Sequence, residues 1–225
     1  MKVRIKFSKE GLVKFIGHLD FMRYFQKAIR RADIDIAYST GFSPHQIMSF
    51  ASPLSVGHES SGEYFDIELN SITDTEDIKN RLNAVMTEGI KILKVAALDE
   101  GEGNAMASVA AADYLVRFSD KILLPDNWKE KLSAYYEQEH IPVMKQAKKS
   151  EKEIDLKEGI YKLQIRDDGI FMQLDAGSGS NVKPGFVLEH FFSTIGVPLP
   201  EFPFRVRRLE TYRRTKKGKL MPLIS

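Results

Sequence analysis

Val3, Ile5 and Phe7 alternate with Lys2, Arg4 and Lys6 at the start of the chain, a two-residue period that demands a strand with one apolar face. Helical spacing follows at once. Leu19, Met22, Phe25, Ile29 and Ala32 predict a helix over 18–32 whose outer face carries Arg23, Lys27 and Arg30. Ile34, Ile36 and Tyr38 predict a strand entering a loop punctuated by Gly41, Pro44 and Pro53, with 47–50 as a return segment. Next, Phe65, Ile67 and Leu69 alternate with Tyr64, Asp66 and Glu68 in a further strand. Thr73 and Glu76 read as a capping box ahead of a helix buried through Ile78, Leu82, Val85 and Met86, and 90–95 closes the series as a strand.

After a Gly- and Ala-rich link at 101–112 the pattern starts over. Residues 114–118 read as a strand, Trp128, Leu132 and Tyr135 as a helix opened by Pro125 at its first position, and 141–145 as another strand. The charged run 148–152 reads as a solvated turn, and Asp167-Asp168-Gly169 as the turn of a hairpin between 161–165 and 171–174. A Gly/Ser loop at 177–180 leads to Pro184 and a helix through 192, and 204–212 supplies the last strand.

Strand-helix-strand-strand-helix-strand, twice, specifies an α+β chain of two ferredoxin-like (split βαβ) halves with antiparallel sheets and helices on one face. The halves are expected at 1–100 and 109–225, the second decorated and ending in a basic segment. In this topology the first and third strands are neighbours. Lys2, Arg4 and Lys6 then lie beside Tyr64, Asp66 and Glu68, so cross-strand charge pairs neutralise the helix-free face. Only Tyr64 there is an aromatic suited to stacking a base, which favours pairing of that face with the other half.

Composition closes off several chemistries. The 225 residues contain no Cys, which excludes thiolate-held clusters, disulfides and cysteine nucleophiles. The 33 basic and 31 acidic residues nearly balance, so any nucleic-acid surface is local. The N-terminus alternates rather than forming an apolar signal, and no run approaches the roughly 20 apolar residues of a membrane span. A cytoplasmic protein with no membrane contact is the expectation.

Potential ligand contacts concentrate in residues 17–54. His18 and His45 are candidate acid and base, with Asp20 placed to orient an imidazole or cap the helix. Arg23, Tyr38, Ser39, Ser43 and Ser49 are candidate substrate contacts around them, and His58 and Glu63 extend the cluster. The histidines lack the helical i, i+4 spacing of zinc motifs, so no metal site is expected. A second region is basic: Arg205, Arg207, Arg208 and Arg213 fall in a terminal run that suits phosphate contacts, Arg205, Arg207 and Arg213 sharing one strand face. The loop 175–181 lacks the spacing of a phosphate-binding fingerprint and reads as a connection with a Ser or Asn cap, and His190 reads as a packed residue.

The run GHLDFMRYFQKAIRRADIDIAYSTGFSPHQIMSFASPLSVG, continuing through Gly62-Glu63-Tyr64 and into KKSEKEIDL, resembles the radical SAM-linked proteins that carry a DUF2344 domain. Gln46 stands where many members have a second Pro. Members are fused to, or encoded beside, a radical SAM protein. The resemblance implies an accessory protein without a cofactor of its own, assisting a partner that carries the cluster chemistry and acts on a substrate such as RNA. A looser architectural similarity, to double ferredoxin-like RNA-processing proteins of CRISPR systems, implies instead a metal-independent RNA binder or endoribonuclease using His18 and His45.

Overall fold

The first strand, β1 (Lys2–Lys9), pairs antiparallel with β3 (Glu59–Glu68) in the register the alternation requires: Lys2 faces Glu68, Arg4 faces Asp66 and Lys6 faces Tyr64. The computed structural model describes residues 1–71, 74–147 and 150–224, the side chains of 145–152 aside. It is a mixed α+β structure. The chain forms two units, 1–110 with 208–225, and 111–207.

In the first unit β4 (Ile90–Ala97) pairs with the outer edge of β1, and β2 (Met48–Phe50) pairs with β3, both antiparallel. The terminal strand β10 (Phe204–Arg214) also neighbours β3 and carries β11 (Leu220–Pro222). Two helices cover the face bearing Val3, Ile5 and Phe7: α1 (His18–Arg31) and α2 (Thr75–Val85). An aromatic cluster fills the space between. Phe7 lies 5.0 Å from Phe25 and 5.6 Å from Phe65, and Phe25 lies 4.7 Å from Phe65, measured between ring centroids. Each such ring contributes about 1.5–3 kcal/mol by burial, and each good pair about 0.5–1.5 kcal/mol more.

The phase of α1 differs from expectation. Phe21, Phe25, Ala28 and Ile29 are its buried residues, and Leu19 is exposed. Residues 34–38 form isolated bridges from Ile36 to Leu69 and Tyr38 to Gln46 rather than one strand: Ala37 donates to the Glu68 carbonyl and accepts from the Ile47 N–H, so the segment passes from one partner to another within two residues. The cap of α2 is Asp74, whose side chain accepts from the Glu76 N–H; Thr73 lies outside the described residues.

The opposite face of this sheet is closed by charge. Arg4, fully buried, donates from Nε to Asp66 Oδ1 at 2.8 Å and from Nη2 to Asp66 Oδ2 at 2.9 Å. Its remaining donors reach the carbonyls of Gly103 and Leu223, and Asp66 also accepts from the Ala105 N–H at 2.7 Å. The cover is thus a short helix, α3 (Ala105–Ser108), with its flanking chain and the C-terminal segment. Tyr64 donates to Glu210 at 2.7 Å, so it is not offered to a base.

The second unit has the strand order β10, β5 (Val109–Phe118), β9 (Gly169–Asp175), β8 (Ile160–Arg166), with β5–β9 and β8–β9 antiparallel. The expected link at 101–112 therefore ends early, since Ala111 and Ala112 are buried strand residues. Helix α4 (Trp128–Glu137) starts after Asn127, and the Pro125 carbonyl accepts from the Trp128 N–H, so this proline makes a preceding turn and not the helix start. Strands β6 (Pro142–Ala147) and β7 (Ser150–Asp155) form a separate hairpin; 148–149 of the expected charged turn lie outside the described residues. Helix α5 (Pro184–Thr194) opens on Pro184 with Lys183 as cap, so no Ser or Asn of the 175–181 loop caps it. His190 shares a hydrogen bond with Tyr135 at 2.9 Å in the α4–α5 contact, and burial lowers its pKa. Among the described residues no helix is long and apolar enough to cross a membrane.

Candidate functional site

At the end of β1 the apolar parity of Val3, Ile5 and Phe7 delivers a lysine. Lys9 is buried, and its ammonium donates to the Ile16 carbonyl at 2.8 Å and lies 4.6 Å from the centre of the Phe21 ring. Across the pair, the register that sets Phe7 opposite Glu63 brings a buried carboxylate to the same place. Arg208 completes the charge set, its Nη1 3.0 and 3.1 Å from the two Glu63 oxygens. The same guanidinium also reaches the carbonyls of Ser52 and Pro53.

His18, in the first turn of α1, stands beside this group and meets the Phe50 ring edge-on at 5.6 Å. Its pKa is lowered, first by burial and then by the Lys9 ammonium, while Glu63 pulls the other way. The ring is therefore neutral at pH 7. Lys9 is lowered too, by burial against the opposing pull of Glu63. A cavity of about 10 Å³ opens between Lys9, His18, Glu63, Ser52 and Leu54, floored by Phe7, Phe21 and Phe50. That is room for one water or the tip of one side chain, too little for a substrate. The chemistry on offer is recognition: a neutral imidazole, an ammonium and a hydroxyl at an aromatic-walled opening.

The family described as "Uncharacterized protein conserved in bacteria (DUF2344)" matches residues 2–184. The chain belongs to the DUF2344 family. No curated protein matches it in sequence. Lys9, His18 and Glu63 fall inside the DUF2344 match, and Arg208 lies beyond it. The run 17–54 supplies His18, Phe21, Phe50, Ser52 and Leu54 to the cavity, so the most distinctive stretch of this DUF2344 chain closes on one point.

The other candidate residues sit apart from that point. His45 is exposed and bonded through Nδ1 to Ser39 Oγ at 2.8 Å, with the Ser43 carbonyl 3.5 Å away, and it does not line the cavity. Asp20 and Arg23 pair with each other on the solvent face of α1 at 3.1 Å. Tyr38 is exposed, and Ser49 lies opposite Asp66 in β2. Arg205 is exposed, Arg207 and Arg213 are half-buried, and Arg208 is committed to Glu63. Lys9 is the residue sequence reasoning missed. Its signal is parity: it continues the apolar face of β1 by one more step. Among the described residues no group of three or more His, Cys, Asp or Glu is placed to hold a metal ion.

Proposed function

We propose that this DUF2344 protein is a non-catalytic companion of a radical SAM enzyme in the cytoplasm, docking through its first unit and helping to present a substrate, RNA being the class expected. One observation carries the docking half of this reading: Leu12, Phe15, Leu19 and Val56, all between the cavity residues Lys9 and Glu63 in sequence, are 85, 61, 69 and 58% exposed. Leu12 and Phe15 are three apart on the 3-10 turn Gly11–Phe15 and so share a side. Leu19 is the second residue of α1, which begins after the extended residues Ile16 and Gly17, and Val56 precedes Gly57, whose N–H donates to the Lys14 carbonyl at 2.9 Å. Large apolar side chains exposed on neighbouring turns in this way suit a protein-binding surface. Burying one such side chain against a partner is worth about 1.5–3 kcal/mol.

We also infer that each unit is a split βαβ half. The first, β1-α1-β2-β3-α2-β4, has β1 and β3 as central neighbours, β4 outside β1 and β2 on β3; the second, β5-α4-β8-β9-α5-β10, has the order β10-β5-β9-β8. The β6–β7 hairpin is then the decoration.

The test is a binding measurement between the purified protein and the radical SAM protein of the same bacterium. Wild type is expected to co-elute with it and bind by calorimetry, and Leu12→Ser/Phe15→Ser/Leu19→Ser to lose about a hundredfold or more. Arg205→Ala/Arg207→Ala should bind the enzyme normally. Absence of a complex with wild type, or undiminished binding by a folded triple variant, refutes the docking reading. Ribonuclease activity of the isolated protein that disappears in His45→Ala establishes the stand-alone alternative instead.

A further inference from the structure

The second unit carries a charged face that none of the foregoing uses. Phe118 of β5 meets Phe192 of α5 at 5.2 Å and Trp128 of α4 at 5.4 Å, so both helices cover the sheet face on which Phe118 lies. Alternation then assigns the other face. Val116, Ile170 and Ile165 lie in register across β5, β9 and β8 on the helix side, which turns Arg117, Phe171 and the set Lys162, Gln164 and Arg166 away from it. Phe204, stacked on Phe192 at 6.1 Å, turns Arg205 of β10 the same way. The Ser119 N–H donates to the Pro203 carbonyl at 2.8 Å, and Arg117 and Arg205 each lie two residues from that contact. Arg117, Lys162, Arg166 and Arg205 are all exposed. Among the described residues Lys162, Arg166 and Arg205 pair with no carboxylate, while Arg117 holds Asp168, its Nε donating to the Asp168 carbonyl at 2.9 Å. The carboxylates of this face are engaged within the sheet: Asp113, buried, accepts from Gln173 at 2.9 Å, and Asp175 accepts from Tyr161 at 2.7 Å.

We infer that this helix-free face binds the phosphate backbone of double-stranded RNA. Alternate side chains along β8 stand about 6.7 Å apart, and β8 is three strand spacings, about 14 Å, from β10. Four exposed cations over that area, with the nearby carboxylates already engaged, call for a ligand of repeated negative charge. A protein partner needs an apolar or aromatic centre to bury, and this face offers none: Leu115 and Phe171 are 8 and 6% exposed. Nucleic-acid interfaces are instead polar and cationic. A paired stem suits the face better than a loose strand, whose bases seek a ring to stack on. Phe171 is closed off from such use, with the Arg166 guanidinium carbon 3.9 Å and the Lys162 ammonium 5.8 Å from its centroid. Arg166 is already oriented by that stacking, so holding a phosphate costs it little further ordering. Gln164, exposed between the two cations of β8, supplies an amide for a 2′-hydroxyl, which DNA lacks. The inference deepens the presenting half of the proposed function and rests on it for RNA as the class of substrate, while the face belongs to the second unit and the docking residues to the first.

The full chain is titrated into a dye-labelled RNA duplex of about twenty base pairs and binding read by fluorescence anisotropy, with the DNA duplex of the same sequence, one RNA strand alone and polyglutamate as competitors. Affinity is expected to fall about fiftyfold or more between about 50 and 200 mM potassium chloride, as three to four phosphate contacts require, and to be indifferent to base sequence. Lys162→Ala/Arg166→Ala should weaken binding about tenfold or more and flatten the salt slope by about 2. Fluorescence of the single tryptophan, Trp128, unchanged in that variant shows that the second unit is still folded. Lys27→Ala/Arg30→Ala removes the same charge from the exposed side of α1 in the first unit and should leave binding as it is. Equal loss in both variants overturns the inference, because total charge then decides and not this face. So does the absence of duplex binding at about 50 mM salt and 0.1 mM protein, or competition by DNA, single-stranded RNA or polyglutamate as strong as by the RNA duplex. Lys162→Ala/Arg166→Ala should still bind the radical SAM protein, so failure here and failure of docking are read separately.

Discussion

Glu63→Gln tests the candidate site most directly, because it removes a charge while conserving shape. Both carboxylate oxygens face Arg208 Nη1 at 3.0–3.1 Å, each side chain 6% exposed, with the buried Lys9 and half-buried His18 close by. The amide still accepts one hydrogen bond but leaves two buried cations without their counter-charge. Breaking one side of a buried pair costs about 3–5 kcal/mol, and the retained acceptor places this change near the lower end. Hydrogen exchange at the β1 and β3 amides is the suitable assay, since Trp128 fluorescence reports the other unit. A loss of about 3 kcal/mol accelerates exchange there by somewhat over a hundredfold. A second readout follows from sign. Glu63 raises the His18 pKa, so its removal must lower that pKa further in an NMR titration. Exchange accelerated less than about fivefold, or a His18 pKa that rises, refutes the assignment of Glu63 as the charge that holds the cluster together.

Arg4→Met should destabilise the first unit by about 3–5 kcal/mol in urea unfolding, whereas Arg4→Met/Asp66→Leu recovers most of the loss; the Ala105 N–H that Asp66 now receives limits that recovery by about 1–3 kcal/mol. Gly62→Ala puts a methyl 2.5 Å from Glu210 Cα and 2.8 Å from the Leu209 carbonyl oxygen, and should lower thermal stability by about 1–3 kcal/mol or more, the cost of overpacking against backbone that cannot step aside. His18 has a folded pKa below its ordinary 6.5, so the unfolded chain binds the extra proton as pH falls below about 6.5, and stability drops until the folded pKa is passed. His18→Gln should flatten that decline in the first unit's exchange-derived stability between pH 7.5 and 5.5; an unchanged slope contradicts it.

Periodicity made the sheet legible and burial made the site illegible. The two-residue alternation of Val3, Ile5 and Phe7 against Lys2, Arg4 and Lys6 fixed which residues face which, because parity survives any uncertainty about strand ends. Helical phase was less secure: Leu19 and Phe21 are both apolar, and only packing against Phe7 selects Phe21 for the core. Ala111 and Ala112 looked like linker because small residues suit flexible chain and tight burial alike. His18 is found from its setting on a helix start. Lys9 is not, since a lysine at a strand end reads as an exposed terminus, and Arg208 reads as one more phosphate contact of the terminal basic run because one-dimensional charge patterning does not show which cation faces a buried carboxylate.

The two buried charge clusters of the first unit are connected through register. A salt bridge as buried as Arg4–Asp66 adds little net stability over an apolar pair, but it makes every other alignment costly: a one-residue slip turns Arg4 toward Phe25 and Phe65 with no acceptor for its guanidinium. Fixing Arg4 opposite Asp66 also fixes Phe7 opposite Glu63 along the same ladder, one step short of the irregularity that precedes Lys9. Shifted by one residue, Glu63 moves about 3.3 Å and its side chain leaves the face that Phe7 and Lys9 share. The ion pair on the covered face therefore acts as the alignment mark for the Lys9–Glu63–His18 opening on the other, and substitutions that relax it should disturb recognition at a site they do not touch.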